Sequence, residues 1–155
     1  MYTSFLPSSF RPLGLAGLIA LLSTAPASGQ PATANPFPGT WSGATQFQMS
    51  VGGKYDAAAH SVAELTLTLS ANGRVTGSAP ENGCRLLGVT TPGFSGVTIN
   101  LDVTLTGCRH GAYNRRFNGL LTWSGQSQTG VLNLTSTQMS LGKAESFDIK
   151  GTLRK

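Results

Sequence analysis

Arginine and tyrosine side chains gather around two cysteines in the middle of the sequence. The group consists of Arg85, Arg109, His110, Tyr113, Asn114, Arg115 and Arg116. Arginine binds carboxylates or phosphates through two parallel hydrogen bonds, and arginine and tyrosine contribute strongly to binding at protein interfaces. The group therefore predicts a surface that binds a ligand or a partner protein. The alternative is that these residues are solvated charges at the ends of strands.

Catalysis and metal binding require side-chain combinations that the sequence does not contain. His60 and His110 have no Asp or Glu at the spacing of metal ligands, and the 6 acidic residues are scattered singly. The sequence also lacks the Gly-x-Ser-x-Gly, His-Glu-x-x-His and phosphate-loop motifs. We therefore expect a protein that is not an enzyme and that uses no metal or cofactor.

The clearest strand pattern lies between the two cysteines. After Gly96, apolar residues occupy every second position from 97 to 105, which is the period of a half-buried strand. If Gly96 centres a hairpin turn, position i pairs with position 192 minus i, and Cys84 stands opposite Cys108. Opposed residues of an antiparallel pair have the short separation that a disulfide needs. We therefore predict a Cys84–Cys108 disulfide.

Phe94 lies near the tip of this predicted hairpin, within the run Pro92-Gly93-Phe94-Ser95-Gly96. An aromatic side chain between glycines at a hairpin tip has little to pack against. We therefore predict that Phe94 contacts a ligand or partner.

The first 27 residues have the layout of a secretory signal peptide. Arg11 precedes an apolar run over residues 13–22, and small residues precede a cleavage site after Ala27. The run is about half as long as the ~20 residues that a membrane-spanning helix needs. We therefore predict a secreted or periplasmic protein without a membrane span, in which residues 28–38 form a flexible lead and residues 39–155 a single domain.

The charge of the exported part is mildly basic. Of 11 Lys and Arg residues only Arg11 belongs to the predicted signal peptide, so 10 remain against 6 acidic residues. These charges are thinly spread and form no Lys/Arg run, which argues against nucleic-acid binding. We expect a monomer whose partner is a small molecule or a protein.

Alternating, threonine-rich segments with glycine-rich turns predict an all-β protein of eight strands. Asn72-Gly73 predicts a two-residue hairpin turn, and Gly119 predicts a bulge or tight bend within its strand. The predicted strands begin at Gly39 and Cys84 and cover residues 62–70, 73–77, 97–106, 113–124, 129–137 and 145–154.

Each predicted strand is apolar on one side only, and the sequence contains no helix to cover that side. The strands must then form a barrel or a β-sandwich. Consecutive hairpins favour an eight-stranded antiparallel up-and-down β-barrel, with one disulfide. An interior of that size is filled by side chains or holds one small ligand.

The opening Gly39-Thr40-Trp41 resembles the Gly-x-Trp start of lipocalins and avidins, the calycin barrels, and residues 71–77 are similar to the second hairpin of bacterial avidins. The resemblance implies a small ligand-holding barrel. Avidins follow the tryptophan with a biotin-binding Asn, and because Ser42 and Gly43 stand there in this sequence, biotin binding is not implied. Lipocalins place an arginine of the last strand against the opening tryptophan, which would be Arg154.

These observations leave three functions open. The favoured one is an exported, non-enzymatic binding protein, with the arginine group and Phe94 as contacts. The second is an inhibitor of a secreted hydrolase that uses loops 52–60 and 90–96 as wedges. The third is a surface or structural component without a small ligand.

Overall fold

The structure is a computed structural model, and it describes residues 37–155. The predicted signal peptide and residues 28–36 of the predicted lead lie outside the described residues. The strands are β1 (Gly39–Val51), β2 (Lys54–Tyr55), β3 (Ser61–Leu69), β4 (Arg74–Ala79), β5 (Cys84–Pro92), β6 (Thr98–Thr106), β7 (Arg116–Ser124), β8 (Thr129–Ser140) and β9 (Lys143–Arg154). Short 3-10 turns cover Ala57–Ala59, Pro80–Asn82 and Gly111–Tyr113. Among the described residues, no helix is long and apolar enough to cross a bilayer.

The eight long strands form a closed antiparallel barrel. From β3 to β9 each strand pairs with the next one along the chain, and β1 pairs with both β3 and β9. The two-residue strand β2 pairs only with the end of β1. The prediction of an up-and-down barrel is therefore confirmed, and the alternative of a sandwich is excluded.

Side chains fill the inside of the barrel, as the alternating pattern predicts. One face of each long strand supplies apolar side chains to the core, and the other face is mostly polar and faces solvent. Thr45 is the exception among the buried residues, and its hydroxyl donates a hydrogen bond to the Ala63 carbonyl (3.0 Å). The largest fully buried side chains are Trp41, Phe47, Leu65, Leu67, Leu86, Leu105, Phe117, Leu121, Leu132, Leu134, Phe147 and Ile149. The interior is a packed core rather than a cavity for a ligand.

Gly119 allows β7 and β8 to approach closely. A Cβ atom at this position would lie 1.9 Å from the Asn133 carbonyl oxygen of β8. The β7–β8 ladder continues through Gly119 without an extra residue. Of the two structures predicted for this glycine, the bulge is therefore absent, and what the glycine provides is the close approach of β8.

The register of the β5–β6 hairpin differs by one residue from the prediction. Leu86 pairs with Leu105, so paired positions add up to 191 rather than 192, and Gly96 does not centre the turn. A shift of one residue exchanges the two faces of a strand. Leu87 and Val89 are consequently exposed on the outer wall of the barrel.

The disulfide forms despite this shift. The β5–β6 ladder ends at the pair Arg85–Thr106, and Gly107 follows with a φ of 71°, which turns the chain. The turn brings the Cα atom of Cys108 to 4.1 Å from that of Cys84, and their sulfur atoms are bonded. The predicted disulfide is confirmed.

The turn at Asn72-Gly73 is longer than predicted. Four residues, 70–73, separate β3 from β4, and only Gly73 has a positive φ (82°). The Gly73 N–H bonds to the Ser70 carbonyl (3.0 Å), and the Ser70 N–H bonds to the Arg74 carbonyl (2.9 Å). A two-residue turn with two positive φ angles occurs instead at Leu141-Gly142, between β8 and β9.

Because consecutive strands run in opposite directions, the connections alternate between two ends of the barrel. The end that carries Phe94, here called the Phe94 end, has the connections 70–73, 93–97 and 125–128. The other end, here called the disulfide end, has the connections 52–60, 80–83, 107–115 and 141–142.

Candidate functional site

Hydrogen bonds hold the loop that follows Cys108 against the disulfide end. The Arg109 N–H donates to the Asn82 carbonyl (2.8 Å), which ties this loop to the one before β5. The Cys108 N–H donates to Oδ1 of Asn114 (2.8 Å). The disulfide and these two bonds fix the backbone on which most of the predicted arginine group stands.

Tyr113 is part of the core. Its side chain is only 2 % exposed, and its hydroxyl donates a hydrogen bond to the Ala59 carbonyl (2.8 Å). Its ring meets those of Phe47 and Phe147 edge to face, at centroid distances of 5.4 and 5.8 Å. Burial raises the pKa of Tyr113 well above its ordinary value. The predicted contact residue Tyr113 therefore closes the disulfide end from inside and is not part of its surface.

Arg115 points inward over the same aromatic cluster. Its guanidinium carbon lies 3.6 Å from the centroid of the Phe147 ring, and its Nε donates to the Ala112 carbonyl (2.5 Å). Burial lowers the pKa of Arg115 from its ordinary value, and the nearby Glu145 opposes this change. The side chain is half-buried, so its charge is directed at the mouth of the barrel and not at the outer wall.

Arg116 points the other way, onto the outer wall. Its Nε donates to Oδ1 of Asp102 (2.6 Å), and its second nitrogen contacts the other carboxylate oxygen. The hydrogen bond from Arg116 lowers the pKa of Asp102, and the same bond raises that of Arg116. Two of the guanidinium nitrogens of Arg116 thus already bind a carboxylate of the same chain.

Arg85 and Arg109 lie at the disulfide end, as predicted, and both are exposed. Neither makes an ion pair with another residue of the described chain. The predicted group therefore does not form one binding surface. Two arginines are exposed, one is stacked on Phe147, one is paired with Asp102, and the tyrosine is buried.

A small pocket of about 110 Å³ lies beside the disulfide. His60 and His110 both line it, together with Arg109 and Tyr113. Among the described residues, no three His, Cys, Asp or Glu side chains are arranged to hold a metal ion. The pocket has room for little more than a few waters.

A groove with a mostly apolar lining is at the Phe94 end and has a volume of about 790 Å³. Phe94 is fully exposed at one side of it, and Trp123 is partly buried at its wall. None of the described residues that line the groove is charged. The apolar side chains in the lining are Phe37, Phe94, Val97, Ile99 and Trp123, and the hydroxyls include those of Ser70, Thr90, Ser95 and Thr98.

Hydrogen bonds within the hairpin tip hold Phe94 away from the barrel. The Gly93 N–H donates to the Thr98 carbonyl and the Thr98 N–H to the Ser95 carbonyl, each at 3.1 Å. Asn100 donates from its side chain to the Pro92 carbonyl (2.9 Å). The tip is thus held by its own bonds, and Phe94 is presented to solvent on a fixed support.

Of the residues that line the groove, only Phe94 is predicted from the sequence to contact a ligand or partner. Phe37 was assigned to the flexible lead, yet it is buried, and its carbonyl accepts a hydrogen bond from Nε1 of Trp41 (2.8 Å). Trp123 lies about thirty positions from Phe94 along the chain, and the antiparallel pairing of β6 with β7 brings the two to one end. The place of Trp123 at this end could have been recognised from β7, because the alternate residues on the inner face of that strand end at Trp123.

The arginine that lipocalins place against the opening tryptophan has no equivalent in Arg154. Arg154 pairs with Ser42 and is exposed on the outer wall, whereas Trp41 faces inward and is fully buried. The residue over the indole is Lys155, whose ammonium lies 5.9 Å from the centroid of the Trp41 ring. The prediction for Arg154 is therefore wrong by one position. A shift of one residue moves a side chain from one face of a strand to the other.

The closed ring of eight antiparallel strands is consistent with a small barrel of the calycin kind. Comparisons of this chain with models of protein families, with curated proteins and with solved structures found no match. The resemblance accordingly extends to strand number, strand direction and closure.

Proposed function

We propose that this chain is an exported, non-enzymatic binding protein that holds an uncharged, partly apolar small molecule in the groove at the Phe94 end. The observation that carries the proposal is the lining of the groove. Two aromatic side chains, Phe94 and Trp123, stand over a lining without a charged residue, in a chain with a net charge of +5.

The groove is a better binding site than the inside of the barrel because side chains already fill the inside. Trp41, Phe47, Phe117 and Phe147 occupy it and are each fully buried. A ligand that entered would have to displace one of these side chains, at a cost of several kcal/mol. Ligand binding of the calycin type, within the barrel, is therefore not part of the proposal.

The chemistry of the lining defines the ligand class. Aromatic side chains favour a ring or another flat apolar surface, and hydroxyl groups favour a few hydrogen bonds along its edge. A volume of about 790 Å³ matches a molecule of drug-like or disaccharide size. A charged group would gain no partner there and would lose its hydration.

The test is titration of the purified protein with an uncharged N-phenyl-naphthylamine dye, read by dye fluorescence. Truncation of Phe94 to alanine is expected to weaken binding by about tenfold, since burying a phenylalanine is worth about 1.5–3 kcal/mol. Leu141→Ala is the matched control, because Leu141 is also fully exposed at a hairpin tip but at the disulfide end. Equal affinities for these two variants, or no saturable binding, would overturn the proposal.

One observation favours a second function, the inhibition of a secreted hydrolase. A fully exposed Phe94 on a hairpin held by its own hydrogen bonds has the form of a wedge for a partner's pocket. The two loops predicted as wedges, 52–60 and 90–96, lie at opposite ends of the barrel, so only the second would enter a given cleft. Stoichiometric loss of hydrolase activity that Phe94→Ala relieves would support inhibition instead of small-molecule binding.

A further inference from the structure

The β8–β9 hairpin continues beyond the rim of the barrel. The β7–β8 ladder ends at Asn118 and Thr135, whereas the β8–β9 ladder continues to Ser140 and Lys143. Within the described chain, no strand pairs with the other side of β8 over residues 136–140. This segment is an open strand edge, here called the β8 edge.

The turn between β8 and β9 determines which backbone groups face outward from this edge. Leu141 and Gly142 have φ angles of 49° and 74°, as in a two-residue hairpin turn of type I′. In such a hairpin the residues that flank the turn exchange two hydrogen bonds, and bonded and non-bonded pairs then alternate. Ser140 and Lys143 are the bonded pair, so the next pair is not bonded.

That next pair consists of Met139 and Ala144, and their backbone groups point away from each other. The Ala144 carbonyl accepts a hydrogen bond from the Gly52 N–H on the far side (2.7 Å), as the alternation requires. By the same alternation, the N–H and C=O groups of Met139 and of Thr137 point out from the β8 edge. These groups are a template for another strand.

The β8 edge lacks the charged residues and prolines that commonly protect an open strand. Residues 136–142 include no charged residue and no proline, and both Met139 and Leu141 are exposed. By contrast, the projecting β5–β6 hairpin ends at Pro92, which has no N–H to donate. The other outer strand at the disulfide end, β2, is two residues long and contains Lys54. Proline, lysine and short length are common ways to block strand pairing.

We propose that the β8 edge is a self-association surface, at which two copies of this chain pair antiparallel about a two-fold axis near Met139. A two-fold axis joins the same patch of both copies, and each copy offers the same number of donors and acceptors. Residues 37–155 carry 10 basic against 6 acidic side chains, and an uncharged segment brings two copies into contact without placing like charges opposite each other.

The paired edges would be short, so the dimer is expected to be weak. About five residues on each side bury much less than the ~1,000 Å² of a stable interface. Contacts between the exposed side chains of Met139 and Leu141 add to the backbone hydrogen bonds. A monomer was expected from the sequence, and the open edge, which the sequence does not show, is the reason to expect a reversible dimer.

The test is sedimentation equilibrium over protein concentrations from about 10 μM to about 1 mM, a range suited to a weak interface. Met139→Lys places like charges opposite each other across the axis and is expected to weaken the dimer by about tenfold or more. Val131→Lys is the matched control. Val131 lies on the same outer face of β8 and is 57 % exposed, against 71 % for Met139, but its backbone pairs with strands on both sides.

Two results would overturn the proposal. The first is a protein that stays monomeric over the whole range. The second is equal weakening by the two lysine variants, which would indicate contact through apolar side chains and not through the open edge. Oxidative cross-linking supplies an independent measurement, in which Met139→Cys is expected to give a covalent dimer and Val131→Cys is not.

Discussion

The guanidinium of Arg115 lies 3.6 Å from the centroid of the Phe147 ring, so a cation forms part of the closure of the barrel's disulfide end. Its sequence neighbour Arg116 points to the outer wall and pairs with Asp102. Arg115 ends the connection 107–115, whereas Arg116 is the first residue of β7 and lies on its outer face. Two arginines that look equivalent in the sequence consequently have different surroundings and should differ in their effect on stability.

Arg115→Ala should therefore lower the free energy of unfolding by about 1–3 kcal/mol. It removes a partly buried cation–π contact together with the hydrogen bond to the Ala112 carbonyl. Arg116→Ala is the control and should have a clearly smaller effect, because its ion pair is exposed to solvent. Urea denaturation of both variants measures the difference. Equal losses would mean that the stacking on Phe147 contributes nothing.

Tyr113 should make the protein sensitive to alkaline pH. Burial raises its pKa above the ordinary value of 10.0, so the folded state keeps a proton that the unfolded state loses. The stabilising contribution is complete below about pH 10 and is lost as pH rises above it. Urea denaturation from pH 8 to pH 11 should show a declining free energy of unfolding, and the decline should be shallower in Tyr113→Phe.

At neutral pH, Tyr113→Phe should lower the free energy of unfolding by about 1 kcal/mol, because it leaves the Ala59 carbonyl without its hydroxyl donor. A decline of the same steepness in wild type and Tyr113→Phe would show that other groups cause it.

The sequence was sufficient to predict the inward rows and the closure of the barrel. Period two is a local property, so Trp41 and Phe47 could be assigned to the core without knowledge of their neighbours. Closure followed because no helix was present to cover the apolar sides of the strands. The disulfide followed from the hairpin between its two cysteines.

Register and the candidate site required the structure. The turn after β5 is determined by hydrogen bonds between Ser95 and Thr98, and an alternating pattern fits two registers that differ by one residue equally well. The groove is lined by segments that are far apart in the sequence, among them the hairpin tip with Phe94 and the end of β7 with Trp123. The alternating pattern of one segment does not show how closely the other approaches it.

The disulfide should supply a large part of the stability. It closes a loop between residues 24 positions apart, for which the chain-entropy estimate is about 3.5 kcal/mol. The double variant Cys84→Ala, Cys108→Ala should lose about that much free energy of unfolding. Wild type under reducing conditions should lose a similar amount, and reductant should leave the double variant unchanged. A loss below about 1 kcal/mol would mean that the hydrogen bonds of the loop are sufficient to hold this end.

Gly119 should not tolerate any side chain, because a Cβ atom there would clash with β8. Gly96 is the matched control, since it has space for a Cβ atom. A Cβ atom at Gly119 would lie 1.9 Å from the Asn133 carbonyl oxygen, so β7 and β8 would have to separate. At Gly96 a Cβ atom would meet nothing within 4 Å, and the backbone has no positive φ.

Gly119→Ala should therefore destabilise the barrel by about 3 kcal/mol, the upper end of the cost of overpacking. Gly96→Ala should be neutral or stabilise slightly, because it restricts the unfolded chain. Urea denaturation midpoints of the two variants test this directly. Similar midpoints would mean that the strands can separate at Gly119 with little cost, and that their close approach is not required for closure.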